Sequence, residues 1–153
     1  MALGKPADLV HITFRLEAAA SHGHATERMW AEKVADNRYR VRNSPFFAHG
    51  ISFDDIVFAE AGPGNELLFS GISLKGGHST YRIILKGDVN SLAFREHWRP
   101  LEDAGCTFEG AHGKLLAIDV PPRADIHKVY ALLQRGEAEN VWEFEEGDCG
   151  HVR

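Results

Sequence analysis

A chain of 153 residues makes one compact domain or two small ones, and 44% hydrophobic with 25% charged residues excludes disorder, collagen-like repeats and coiled coils. A formal charge of −5 argues against non-specific nucleic-acid binding. No apolar run approaches the ~18 residues of a membrane span, and the alternating N-terminus lacks the continuous apolar stretch of a secretory signal, so a cytoplasmic location is expected.

The first half reads as successive strands. Val10, Ile12, Phe14 and Leu16 alternate with His11, Thr13, Arg15 and Glu17, a period of two with one buried face. After a polar loop (Ala18 to Thr26), the run Glu27 to Val34 reads as a second strand. Asp36-Asn37 signals a turn, and Tyr39 and Val41 then alternate with Arg38, Arg40 and Arg42 in a hairpin partner with a basic outer face. Asn43-Ser44-Pro45 breaks that strand, and Phe46, Phe47 and Gly50-Ile51 lie in a connector to Ile56–Glu60. Gly62-Pro63-Gly64-Asn65 is a turn, and Leu67 to Leu74 returns as a fifth strand. Five short strands without helical periodicity predict a small curled sheet or barrel.

The second half changes period. Thr80 to Leu85 is an apolar strand, and Asp88, Asn90 and Ser91 offer capping oxygens to a helix with Phe94, Trp98 and Leu101 on one face. Pro100 predicts a kink or break in that helix, and Gly105 ends it. Cys106–Glu109 and Leu115–Val120 follow as strands. Asp125 caps a second helix carrying Ile126, Val129, Tyr130 and Leu133, which Gly136 stops, and Val141–Glu145 is a last strand. The order strand, helix, strand, strand, helix, strand is the split β-α-β motif of ferredoxin-like sandwiches. The fold class is therefore α+β: a strand-rich small sheet or barrel (residues 1–77) packed on a ferredoxin-like βαββαβ sandwich (residues 78–153), with one shared core expected. Cys106 and Cys149 then fall on opposite sheet edges, beyond the ~7 Å reach of a disulfide.

The runs MWAEKVADNRYRVRNSPFFAHGISFDDIVFAE, GGHSTYRIIL, LLAIDVPPRADI and WEFEEGDCG resemble a bacterial family catalogued as domain of unknown function 4265, from about Val10 to Cys149. The resemblance implies a small cytoplasmic bacterial protein and brings no catalytic residues with it.

Reactive constellations are sparse. His22-Gly23-His24 and Cys149-Gly150-His151 lack the spacing of zinc ligands, so no metal and no cofactor is expected. His78, Ser79 and Asp119 have triad chemistry but no nucleophile elbow surrounds Ser79, and Cys106 with His112 spans a short hairpin. Gly62-Pro63-Gly64 and Gly76-Gly77 lack the following helix of a phosphate loop. The row Arg38, Arg40, Arg42 reads as a solvated face, and no nucleic-acid partner is expected. Phe46 and Phe47 either plug an open end of the N-terminal sheet or form a recognition patch.

Charge is unevenly spread. Residues 1–135 carry sixteen acids and sixteen bases, whereas the last eighteen residues hold Glu137, Glu139, Glu143, Glu145, Glu146 and Asp148 against Arg153. With Trp142 and Phe144 alternating inward, Glu143 and Glu145 face solvent, and Glu146 and Asp148 extend the acidic border. An edge strand so decorated either guards against aggregation or docks a basic partner. The expected function is a non-enzymatic binding module of the immunity type, occluding a cognate bacterial toxin through Glu143, Glu145, Glu146 and Asp148. The alternative is a small-molecule sensor with a pocket between the two halves.

Overall fold

The structure of the protein, a computed structural model, describes residues 8–17 and 25–153, and the backbone alone at residues 111 and 112. Five strands come first: β1 (Leu9–Arg15), β2 (Thr26–Ala35), β3 (Arg38–Val41), β4 (Ile56–Ala61) and β5 (Leu67–Leu74). Each runs antiparallel to the next, and β1 meets β5 to close a barrel. An odd number of alternating strands can close only through a parallel pair, here the single bridge Thr13 to Leu68. The β2–β3 turn places Asn37 at φ 60°, a conformation that asparagine tolerates. Ile12, Phe14, Met29, Ala31, Tyr39, Val41, Val57 and Ala59 fill the barrel, joined by Ala48 and Ile51 of the connector. Thr13 is also buried, because its hydroxyl donates to Glu66 Oε1 at 2.8 Å beside the closure.

The second half runs β6 (Ser79–Leu85), α1 (Leu92–Asp103), β7 (Thr107–His112), β8 (Leu115–Val120), α2 (Ile126–Ala138) and β9 (Trp142–Asp148). Its sheet has the order β7-β8-β6-β9 with antiparallel neighbours throughout. Among the described residues the protein is thus a mixed α+β fold of nine strands in two sheets with two helices. Ser91 caps α1, accepting from Phe94 N–H at 3.2 Å, and Asp125 caps α2 through His127 and Lys128 N–H. The α1 face of Phe94, Trp98 and Leu101 and the α2 face of Ile126, Val129 and Leu133 bury against alternate residues of β6 and β8. Each fully buried aliphatic side chain contributes about 1.5–3 kcal/mol.

Several expectations need correction. α1 runs through Pro100 without a break. α2 runs through Gly136, and the left-handed residue beyond it is Asn140, at φ 59°. Gly136 is there for close approach instead: a Cβ would stand 2.2 Å from Trp142 Cε2. Tyr130 lies on the predicted apolar face yet is 42% exposed, at the rim beside Phe144. The buried apolar side chains form two clusters, one per half. The seam between them is polar.

Candidate functional site

The acidic end is built by β9, an edge strand whose Trp142 is fully buried and donates its indole N–H to the Leu133 carbonyl at 2.9 Å. Anchored there, the strand turns Glu143 and Glu145 to the sheet face away from the helices, as alternation predicts. Glu146, opposite Tyr81, follows the same alternation, and a register shift beside Gly147 then brings Asp148 opposite Thr80. Glu146 falls on the helix face, where it accepts from Tyr81 Oη at 3.1 Å and from Arg153. Desolvation, and then the Glu146 charge, hold the Tyr81 phenol well above its ordinary range. Asp148 turns into the seam, accepting from Ser52 Oγ and Lys75 Nζ, both at 2.7 Å. The four acids therefore do not form one border.

Each also has a cation of its own. Lys86 stands 3.2 Å from Glu143, Arg82 donates to Glu145 at 3.1 Å, Arg153 meets Glu146, and Lys75 bridges Asp148 to the buried Asp55. Glu143 is the most open of them, its side chain 63% exposed. It flanks Ile84 (43% exposed) and the half-buried Leu115, which leave an apolar strip on this sheet face. The edge itself is partly closed: Phe144 N–H donates to Glu137 Oε2 at 3.3 Å, and the Gly147 carbonyl accepts from Gly50 N–H at 2.9 Å.

The rest of that sheet face carries the connector. Arg82, 1% exposed, donates Nη1 to the Ala48 carbonyl at 2.7 Å and Nη2 to His49 Nε2 at 3.1 Å. On the opposite side the Glu27 carboxylate accepts three successive N–H groups, from Phe46, Phe47 and Ala48, at 2.6, 3.0 and 2.8 Å. One buried cation thus gathers the carbonyl side of the Pro45–Ala48 bend, and one anion its N–H side. Ser44 N–H adds a bond to Glu109, whose carboxyl is pushed up by desolvation against that bond. Phe47 is buried and Phe46 half-buried, so this pair packs mainly as part of the bend. Arg82 and Glu27 are the residues that sequence reasoning missed; only their placement opposite the same bend gives them meaning.

The triad-type residues separate into two pairs. His78 Nδ1 bonds Asp119 Oδ1 at 2.8 Å, while Ser79 Oγ bonds His151 Nδ1 at 2.6 Å. Ser79 is fully buried and also accepts from Gly150 N–H, and His151 Nε2 donates to the Pro121 carbonyl at 2.8 Å. These bonds fasten the C-terminal segment to the sheet. Desolvation raises the Asp119 carboxyl, which His78 counters, and burial pushes the Cys106 thiol up to about 12. A thiol that stays protonated is a poor nucleophile. Both cysteines are free. The His112 side chain and His22 and His24 lie outside the described residues, and among those described no three His, Cys, Asp or Glu groups gather to hold a metal ion.

A cleft of about 410 Å³ opens at the barrel mouth, lined by Phe14, Leu16, Phe47, Ile51 and Phe69 with Arg15 and His49 at hand. All its lining residues precede residue 78. Since Arg82 can only donate, His49 Nε2 accepts, which leaves the ring proton on Nδ1.

The fold and these sites define a two-sheet α+β protein with a clamped connector. The chain belongs to the family described as domain of unknown function (DUF4265), whose pattern matches residues 27–144. No curated protein matches it. A solved structure of a hypothetical protein from Neisseria gonorrhoeae is similar, with a TM-score of 0.78 and 17% identity over 96% of this chain and 99% of that one. At that identity the likeness concerns the fold. No helix among the described residues is long and apolar enough to cross a membrane.

Proposed function

We propose that the protein is a non-enzymatic binding module of the immunity type, which occludes a basic toxin domain in the cytoplasm through the strip of its second sheet that the connector leaves uncovered. We read that half as ferredoxin-like, a reading supported by its βαββαβ order and the strand sequence β9-β6-β8-β7. The observation that carries the function is the apolar strip of Ile84 and Leu115 rimmed by the exposed Glu143 and by Glu145. An apolar centre with a charged rim buries area and steers a complementary partner at once. Glu146 and Asp148, turned to other surfaces, hold the tail and the seam and leave the contact to the other two. Co-expression with the product of the neighbouring open reading frame tests this. Growth arrest by that product should be relieved by the wild-type chain and less by Glu143→Lys combined with Ile84→Asp. A neighbour that is harmless alone, or rescue equal for both chains, counts against the proposal.

The cleft at the barrel mouth favours a second reading, a small-molecule sensor. Its volume falls in the range of ligand sites, and its His49 is tied through Arg82 to the second sheet, so an occupant could be felt there. Small aromatic compounds, which suit the phenylalanine walls, should then raise the melting temperature, and Phe69→Ala should remove the shift.

A further inference from the structure

The outer surface of the barrel carries a strip that the sheet face above does not use. His11 stands opposite Trp30 in the β1–β2 register, and their rings lie with centroids 3.7 Å apart at 34°. Arg28 donates to His11 Nδ1 at 2.7 Å. On the other side of Trp30, Arg42 donates its backbone N–H to the Trp30 carbonyl at 2.8 Å and lays its guanidinium over Phe53, 4.8 Å from the ring centroid. Farther along β3, Arg38 covers Phe58 at 5.3 Å. Cations and flat rings therefore interleave across two strands and the segment after β3: Arg28, His11, Trp30, Arg42, Phe53. Burial, and then the Arg28 charge, hold the His11 imidazole below its ordinary value, so at neutral pH it is an uncharged flat ring.

Four guanidiniums serve the strip, from Arg28, Arg38, Arg40 and Arg42. Carboxylates near it include Glu32, Asp54, Glu66 and, on the outward face of β4 beyond Phe58, the exposed Glu60; Asp54 answers both Arg40, at 3.8 Å, and Arg42, at 2.8 Å. Glu66 is engaged with Thr13. Arg40 Nε is hidden from water without a hydrogen-bond partner, Glu32 Oε1 standing 3.7 Å off. The strip gathers four guanidiniums in a chain whose net charge is −5. Trp30 is 44% exposed, an expensive surface to leave in water.

We propose that this strip binds single-stranded nucleic acid, with a base stacked on Trp30 and backbone phosphates along Arg38, Arg40 and Arg42. Alternate residues of one strand stand about 6.7 Å apart, so each guanidinium can meet a different phosphate. Stacking on the indole needs a flat π-face, which every nucleobase has and a run of acidic side chains lacks. The row that reads as solvated from sequence gains this role from neighbours that only the fold supplies: Trp30 from β2, Phe58 from β4 and Phe53 from the connector. This site is separate from the sheet face proposed for the toxin, and either can fail alone.

The test is a titration of the intact protein with a fluorescein-labelled oligothymidylate of about twelve nucleotides at low salt, read by anisotropy and by tryptophan emission. Trp98 and Trp142 are buried, so quenching reports Trp30. The expected result is binding accompanied by quenching, with log K falling against log salt at a slope near −2 for about three phosphates. Trp30→Ala should raise Kd about tenfold while Trp30→Phe keeps most of the affinity, and Arg40→Gln with Arg42→Gln should flatten the salt slope. No anisotropy change at low salt, binding without quenching, equal affinity for Trp30→Ala, or the same quenching by polyglutamate would each overturn the proposal.

Discussion

Arg82 shows how one side chain can set the relation of two sheets. Its guanidinium is buried, yet every direction it offers meets an acceptor: Glu145 on its own sheet, the carbonyls of Pro45, Phe47 and Ala48, and His49. Removing it strands these acceptors, so Arg82→Leu is expected to cost about 3–5 kcal/mol in urea unfolding. Arg82→Lys should recover little of this, because an ammonium cannot span the same fork of partners. A second pair, His97 with Glu139, ties α1 to the end of α2 at 2.8 Å. Burial draws the His97 imidazole down, but its bonds to Glu139 and the Ala93 carbonyl outweigh this and hold it above its ordinary value. The Glu139 carboxyl is in turn held low, first by His97 and then by Arg135. A proton gripped more tightly in the folded chain stabilises it below the ordinary histidine range, and that gain is lost as pH climbs through the folded value. The depressed carboxyl acts oppositely, its share vanishing as pH falls below the carboxylate range. The stability difference between wild type and Glu139→Gln should therefore peak near about pH 6 and shrink toward both pH 8 and pH 4.

Glycines and the β9 bulge show what could and could not be read from the chain at the scale of elements. Alternating or short apolar runs between turn signals located β1 to β6 and β8 closely, and the caps Ser91 and Asp125 were legible because capping needs a short oxygen-bearing side chain at one position. Gly136 was misread because a helix stop and a contact glycine look alike in sequence; only the Trp142 ring lying against α2 separates them. Gly136→Ala would ordinarily favour a helix, yet here a Cβ must displace a fully buried indole, so a net loss of about 1–3 kcal/mol is expected from thermal unfolding. The acidic border was legible as composition and illegible as geometry. A single inserted residue at Gly147 reverses the side of Asp148, the one acidic side chain beyond it, and no local signal announces such a bulge. The basic row of β3 was legible too, but its aromatic partners sit on other strands, and pairing across strands is not written in either strand alone.

At the scale of the whole molecule, two apolar clusters meet across a seam of charges, with Lys75 between Asp55 and Asp148 and Arg82 within the connector. Among the described residues the larger cluster, with sixteen buried residues, lies wholly after residue 78, whereas the barrel relies on Ala48 and Ile51 of a connector that the other half holds in place. The fragment 78–153 is therefore expected to fold alone by circular dichroism, and 1–77 to remain unfolded until that fragment is added. Folding of the second fragment only in the presence of the first would reverse this order. The barrel has one further property that follows from counting its staves. Five cannot alternate around a ring, so one joint, Thr13 with Leu68, is left with a lone rung where its neighbours have several. That joint is the place where the cylinder should first part as the chain breathes, and amide hydrogens flanking it should be traded for deuterium before those of any other stave.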